Sequence, residues 1–174
     1  MHRHINGTTS RERLTWLKGM SRTPHLVTDD FDPEELSFVH PNIAITCWEG
    51  AVEVAGQPGY YVINVAGELD TPCDLKAPVD PRDGVTATTA QLDRIAGVID
   101  QQLEGPDDTK VIVHCAMGIE RSALAVAWFL RSRPGYDSLT AAYDAISAAR
   151  PIIADRSHWV GEELDVPIPG VEVA

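Results

Sequence analysis

The chain has 174 residues, 44% of them apolar and 23% charged, a composition that fits one folded domain with its own core. Its 14 basic and 26 acidic residues leave a net charge of −12, which repels nucleic acid and anionic lipid headgroups and argues against polyanionic partners. Three cysteines without a disulfide-scaffold spacing, no signal-type apolar stretch after Met1, and no run of membrane-spanning length predict a cytoplasmic protein in a reducing compartment, without membrane association.

Residues 1–37 read as an N-terminal extension in which Leu14, Trp16, Leu17 and Met20 give a short helix one apolar face. Two roles stay open for it: a helix packed across the domain, or an arm that docks substrate or partner. Asp29, Asp30, Asp32, Glu34 and Glu35 around Pro33 read as a solvated turn and helix start rather than a metal site. Residues 38–174 are expected to form the main domain. Ile43 to Cys47 and Ala51 to Ala55 read as β runs joined by a hairpin-like Trp48-Glu49-Gly50. Tyr60 to Ala66 is apolar enough for a strand buried on both faces. Leu75 to Val79 follows as a further strand, after a loop with Pro72 and Cys73, and residues 80–86 form an exposed, turn-rich loop.

Thr88 to Leu103 predicts a helix: Thr88 and Gln91 make a capping box, and Leu92, Ile95, Ala96, Ile99 and Leu103 fall on one face. With the strand from Val111 it completes a crossover unit that puts the next loop at a strand's carboxyl end, where open α/β sheets bind ligands. A helix from Ser122 to Arg131 follows, stopped by Pro134-Gly135. Another is capped by Ser138, with Leu139, Ala142, Tyr143, Ile146 and Ala149 on one face. Past Trp159 the proline-rich tail predicts an irregular end. The expected fold is α/β, a single domain with a mostly parallel sheet of about five strands flanked by helices.

Chemistry concentrates where the Val111 strand meets the Ser122 helix. Five residues separate Cys115 from Arg121, so the loop Ala116-Met117-Gly118-Ile119-Glu120 can curl into a cup with N–H groups facing inward and a helix N-terminus beneath. Such a cup binds a tetrahedral dianion. Those N–H groups, the helix dipole and Arg121 all favour the Cys115 thiolate, and Arg121 can grip two phosphate oxygens at once.

His114 to Ser122, His-Cys-Ala-Met-Gly-Ile-Glu-Arg-Ser, resembles the phosphate-binding signature of cysteine-dependent protein tyrosine phosphatases, in their dual-specificity branch. The Val-Ile-Asn-Val strand and the Arg150-Pro151 turn extend the resemblance over roughly residues 40–156. It implies that Cys115 attacks phosphorus, that Arg121 and the backbone of residues 116–121 hold the phosphate, that Ser122 assists departure of the sulfur, and that His114 braces the loop. The general acid it implies has two candidates. Asp83 stands 32 residues before Cys115, in an Asp-Gly-Val-Thr loop; Asp80 follows Pro78-Val79. Asp70 is a remoter third.

The implied substrate is a phosphorylated protein carrying phosphotyrosine, with phosphoserine and phosphothreonine as further substrates, and no metal or cofactor takes part. Nucleotides, RNA 5′ ends or small phosphate esters are alternative substrates, and a catalytically silent phosphate-binding module is the alternative of another class. Ala116 and Met117 are uncharged where phosphoinositide-directed relatives tend to carry Lys. Glu120 departs from the family pattern. A carboxylate within ~5 Å of the phosphate would cost about 3 kcal/mol per charge pair, so it must point outward or be paired. Cys47 and Cys73 read as structural, with Cys73 alternatively a resolving partner for Cys115 under oxidation.

Overall fold

The computed structural model describes residues 10–79, 87–106 and 108–160. Among these residues five strands, β1 (Ser37–His40), β2 (Ile43–Thr46), β3 (Tyr60–Asn64), β4 (Leu75–Lys76) and β5 (Lys110–His114), form one sheet in the order β1-β2-β5-β3-β4. Only β1 runs antiparallel to its neighbour; the other pairings are parallel. Alternation along the strands decides what covers each face. Ile43, Ile45, Ile63, Val111 and Val113 join the main core with α3 (Thr89–Leu103), α4 (Arg121–Leu130) and α5 (Leu139–Ala149). Ala44, Val62 and Ile112, pointing the other way, pack against Ala51, Val54 and Ala55 of the Trp48–Val54 helix and its end.

That helix, α2, corrects the sequence reading. The hairpin expected over residues 43–55 lies at residues 37–46, turning at Pro41-Asn42, and the second expected β run is helical. Ala51, Val54 and Ala55 recur at helical spacing, which outweighs the strand preference of the valines. Gly50 fits because a Cβ there would collide with Thr46 Oγ1 and the Glu34 carbonyl.

The remaining elements follow the sequence closely. Thr88 Oγ1 accepts from Gln91 N at 3.2 Å and Thr88 N donates to Gln91 Oε1 at 3.1 Å, closing the capping box of α3. Ser138 Oγ accepts from Ala141 N at the start of α5. Only Leu75 and Lys76 form β4, yet backbone bonds from Ala77 and Val79 to Asn64 and Val65 continue alongside β3. The N-terminal helix α1 (Ser10–Met20) packs Leu17 into a second core with Val27, Ile119, Ile152 and Ala154. The expected irregular tail lies outside the described residues, apart from a 3-10 turn at Ser157–Trp159.

Candidate active site

The parallel register aligns Thr46, Asn64 and His114 in one row across β2, β3 and β5. Each strand therefore ends at the same level, and the residues that follow, at Cys47, at Val65 and at Cys115, gather at one end of the sheet. Asn64 is fully buried and organises one of these loops: its Oδ1 accepts from Ala66 N at 2.8 Å, and its Nδ2 donates to Leu69 O at 2.8 Å. That loop carries Glu68.

The loop after β5 has its carbonyls tied outward. Ala116 O accepts from Trp48 N at 3.1 Å and Ile119 O from Ala154 N at 3.0 Å. Arg150 donates to Met117 O at 3.2 Å and to Gly118 O at 2.7 Å. In a trans peptide the N–H points opposite to the preceding carbonyl, so the N–H groups of residues 117–120 turn toward the interior of the loop. Gly118 has φ of +65°, and a Cβ would stand 2.5 Å from Thr46 O and 2.7 Å from Arg150 Nη2. Both the backbone conformation and the close approach require glycine.

Cys115 lies at the base of this loop, 3% exposed, with its Sγ 3.3 Å from Ser122 Oγ. Burial pushes the thiol up. The Arg121 charge, the Ser122 hydroxyl and the backbone N–H groups of Ser122 and Gly118 outweigh it, and the net direction is down, toward thiolate. At Cys47 burial, helped by Glu49, outweighs the Gly50 N–H and the Arg150 charge and pushes the thiol up to about 11. Burial and the Asp74 carboxylate likewise raise Cys73; all three cysteines are free.

His114 is fully buried, and desolvation lowers its pKa, so the ring is neutral at pH 7. Its Nδ1 lies 3.0 Å from the Cys115 carbonyl, which can only accept, so Nδ1 carries the proton. Its Nε2 faces Thr71 Oγ1 at 3.4 Å. The imidazole thus holds the backbone of the nucleophile and supplies no charge to it.

Arg121, the first residue of α4, presents its guanidinium to Glu68 in a two-point contact, Nη1 to Oε2 at 2.6 Å and Nη2 to Oε1 at 2.5 Å. The carboxylate fixes the plane of the fork. Glu120 turns its Oε1 to Arg156, 2.7 Å from Nη2 and 3.1 Å from Nε, so of the two expected arrangements, pointing outward or being paired, the structure shows the pairing. Asp70 is exposed and bonded to Lys76 Nζ at 2.6 Å; that hydrogen bond and the lysine charge lower its pKa, the wrong direction for a proton donor. Asp80 and Asp83 lie outside the described residues.

Sequence reasoning misses the site roles of three residues: Glu68 and Arg156, which pair with Arg121 and Glu120, and Arg150, which enters there only through the Arg150-Pro151 turn of the resemblance and lies buried under the loop. Arg150 is 0% exposed and, besides the two loop carbonyls, donates to Pro33 O at 2.8 Å and Ser37 Oγ at 3.0 Å. Desolvation lowers its pKa to about 10, leaving it a cation at neutral pH. A cavity of about 190 Å³ opens above Cys115, walled by the loop, Glu68 and, from α1, Trp16 and Met20. Among the described residues no group of three or more His, Cys, Asp or Glu is placed to hold a metal ion, and no helix is long and apolar enough to cross a membrane.

A buried thiolate-favouring cysteine under an inward-facing loop of N–H groups, with an arginine at the helix start, defines an anion site of the cysteine-phosphatase type. The sequence profile of the dual specificity phosphatase catalytic domain matches residues 60–162, more than half of the chain. The protein belongs to that family, within the cysteine-based tyrosine phosphatase superfamily. Human DUSP28 has the same fold: TM-score 0.59 and 23% identity, over 74% of this chain and 88% of that one. Tk-PTP in its active form gives a TM-score of 0.55 at 23% identity, over 71% and 90%. PTPMT1 in complex with PI(5)P gives 0.57 at 18%, over 70% and 87%. No curated protein matches the chain in sequence.

Proposed function

We propose that the protein hydrolyses phosphotyrosine in proteins, with phosphoserine and phosphothreonine as further substrates, through a cysteinyl-phosphate intermediate at Cys115. The observation that carries this reading is the buried Cys115, biased toward thiolate, beneath a loop whose carbonyls are tied outward. In the first step the thiolate attacks phosphorus, an S–P bond forms, and the P–O bond to tyrosine breaks as a carboxylic acid, Asp83 or Asp80, gives its proton to the leaving oxygen. Arg121 and the loop N–H groups hold the equatorial oxygens through the loose transition state. In the second step water attacks phosphorus, the same carboxylate takes its proton, and the S–P bond breaks, releasing phosphate and thiolate. Ser122 donates a hydrogen bond to the departing sulfur. The thiolate requires a reducing, cytoplasmic setting.

A phosphoinositide substrate, the ligand bound to PTPMT1, fits this chain less well. Ala116 and Met117 bring no positive charge, the net charge is −12, and the cavity of about 190 Å³ is smaller than common small-molecule pockets. A cavity of that size suits one side chain with its phosphate, the rest of the substrate lying outside.

The test is the pH profile of kcat/KM on a phosphotyrosine peptide, with chelator and reductant, for wild type, Ser122→Ala, Asp83→Ala and Asp80→Ala. The acidic limb contains the titration of Cys115. Its thiolate is held by Arg121 and by Ser122, so removing the hydroxyl raises the thiol pKa and moves that limb to higher pH. The aspartate that acts as acid reveals itself by loss of the basic limb and a fall of about 10²–10⁴ in rate. An inactive wild type overturns the phosphatase reading, and an unmoved acidic limb in Ser122→Ala overturns the role given to that hydroxyl.

A further inference from the structure

Helix α1 lies before the family-matched segment, yet it forms part of the wall above Cys115. Trp16 and Met20 are four residues apart and so share one face of the helix. Both line the cavity, while Leu17, next to Trp16, is 3% exposed in the second core. That core includes Ile119 of the phosphate loop itself, with Met117 packed against it.

The helix is fastened as well as packed. Ser21 Oγ donates to Pro151 O at 2.5 Å, Arg22 N donates to Ile153 O at 2.9 Å, and Arg22 Nη1 reaches Asp144 at 2.9 Å. The 150–154 turn is in turn bonded to Gly118 and Ile119 of the loop. A wall held this way is preorganised against the cup, and Trp16 remains 40% exposed at its mouth, a large apolar surface beside a site for a dianion.

We propose that Trp16, supported by Met20, is the residue that selects aryl phosphates: the ring of phosphotyrosine lies against the indole while its phosphate occupies the cup. This rests on the reading that the cup takes a phosphomonoester. A phosphoserine carries its phosphate one methylene from the backbone and has no ring to place there, so it gains nothing from the indole. The extension thereby acts as a specificity element built from residues outside the catalytic segment.

The test uses binding, so that it does not depend on turnover. Cys115→Ser protein is titrated with labelled peptides of one sequence bearing phosphotyrosine or phosphoserine, with and without Trp16→Ala or Trp16→Phe, and inorganic phosphate serves as competitor. The phosphotyrosine peptide is expected to bind about tenfold more tightly than the phosphoserine peptide. Trp16→Ala erases that preference, Trp16→Phe restores most of it, and inorganic phosphate competes alike against all three proteins because it touches the cup alone. Equal affinity for the two peptides before the substitution, or a preference that survives Trp16→Ala, overturns the proposal. A wild type that fails to hydrolyse the peptide, beside a preference that depends on Trp16, overturns the phosphatase reading and leaves this one standing.

Discussion

Arg121→Lys is expected to lower kcat/KM on a phosphotyrosine peptide by about 10³-fold or more, since one lost transition-state donor alone costs about 10²–10³. Lysine keeps the charge, so the expectation rests on geometry. The guanidinium is a rigid planar fork, and Glu68 fixes its plane by accepting from Nη1 and Nη2. A phosphoryl group moving from oxygen to sulfur spreads charge over three equatorial oxygens, and a fork can follow two of them at once. An ammonium on a flexible stem meets one. Because the positive charge beside Cys115 survives, the acidic limb of the pH profile should stay near its wild-type position in Arg121→Lys and move to higher pH in Arg121→Met. A lysine variant within tenfold of wild type would mean that charge alone suffices and that the fork has no special part.

The second large effect is structural. Arg150→Met should lower unfolding free energy by roughly 3–5 kcal/mol, because stranding buried hydrogen-bond partners costs about 1–3 kcal/mol each. Arg150 is fully buried, and three of its four partners are backbone carbonyls: Met117, Gly118 and Pro33. Methionine approximates the volume but leaves those acceptors without a donor. Two of them belong to the phosphate loop, so the loss falls on the peptide planes that aim the N–H groups inward. Arg150→Lys should therefore retain more stability than Arg150→Met yet still lose activity, since one ammonium cannot reach Gly118 O, Pro33 O and Ser37 Oγ together. Urea unfolding of the two variants beside wild type measures the first effect, and kcat/KM the second. A methionine variant within about 1 kcal/mol of wild type would show that water or a shifted backbone replaces the donor.

How much of the fold and of the site is legible in the sequence depends on how local each feature is. His114, Cys115, Gly118, Arg121 and Ser122 lie in one strand-to-helix loop, so their spacing alone implied a cup, and the structure places them around one buried thiol. The α3 cap and its buried face were equally readable, because a capping box and a helical period are written in consecutive residues. The hairpin was misplaced for a related reason. Val52 and Val54 carry a strand preference, and only the tertiary fit of Gly50 against Thr46 and Glu34, with Ala51 on the β2 and β5 face, makes the segment helical.

The contacts of Glu68, Arg150 and Arg156 with the site are not legible, even though Arg150 belongs to the Arg-Pro turn of the resemblance, because each meets the loop through the sheet register or through a distant turn. Glu68 reaches Arg121 across 53 positions, Arg156 reaches Glu120 across 36, and Arg150 reaches Gly118 across 32. Nothing in an acidic loop residue or in a basic residue past an apolar helix announces such a partner. For Glu120 the cost of an unpaired carboxylate beside a phosphate leaves two outcomes, pointing outward or being paired, and only the fold supplies Arg156 as the partner.

The central claim is that phosphate is transferred to Cys115, and trapping that intermediate tests it most directly. Protein mixed with a phosphotyrosine peptide and chelator, quenched in acid during turnover and digested, is examined by mass spectrometry for a phosphoryl group on the peptide that contains Cys115. The account predicts that group on Cys115 in the wild type, its accumulation in Ser122→Ala as sulfur departure slows, and neither adduct nor turnover in Cys115→Ser. Turnover that persists in Cys115→Ser, or a phosphoryl group carried by another residue, would contradict it.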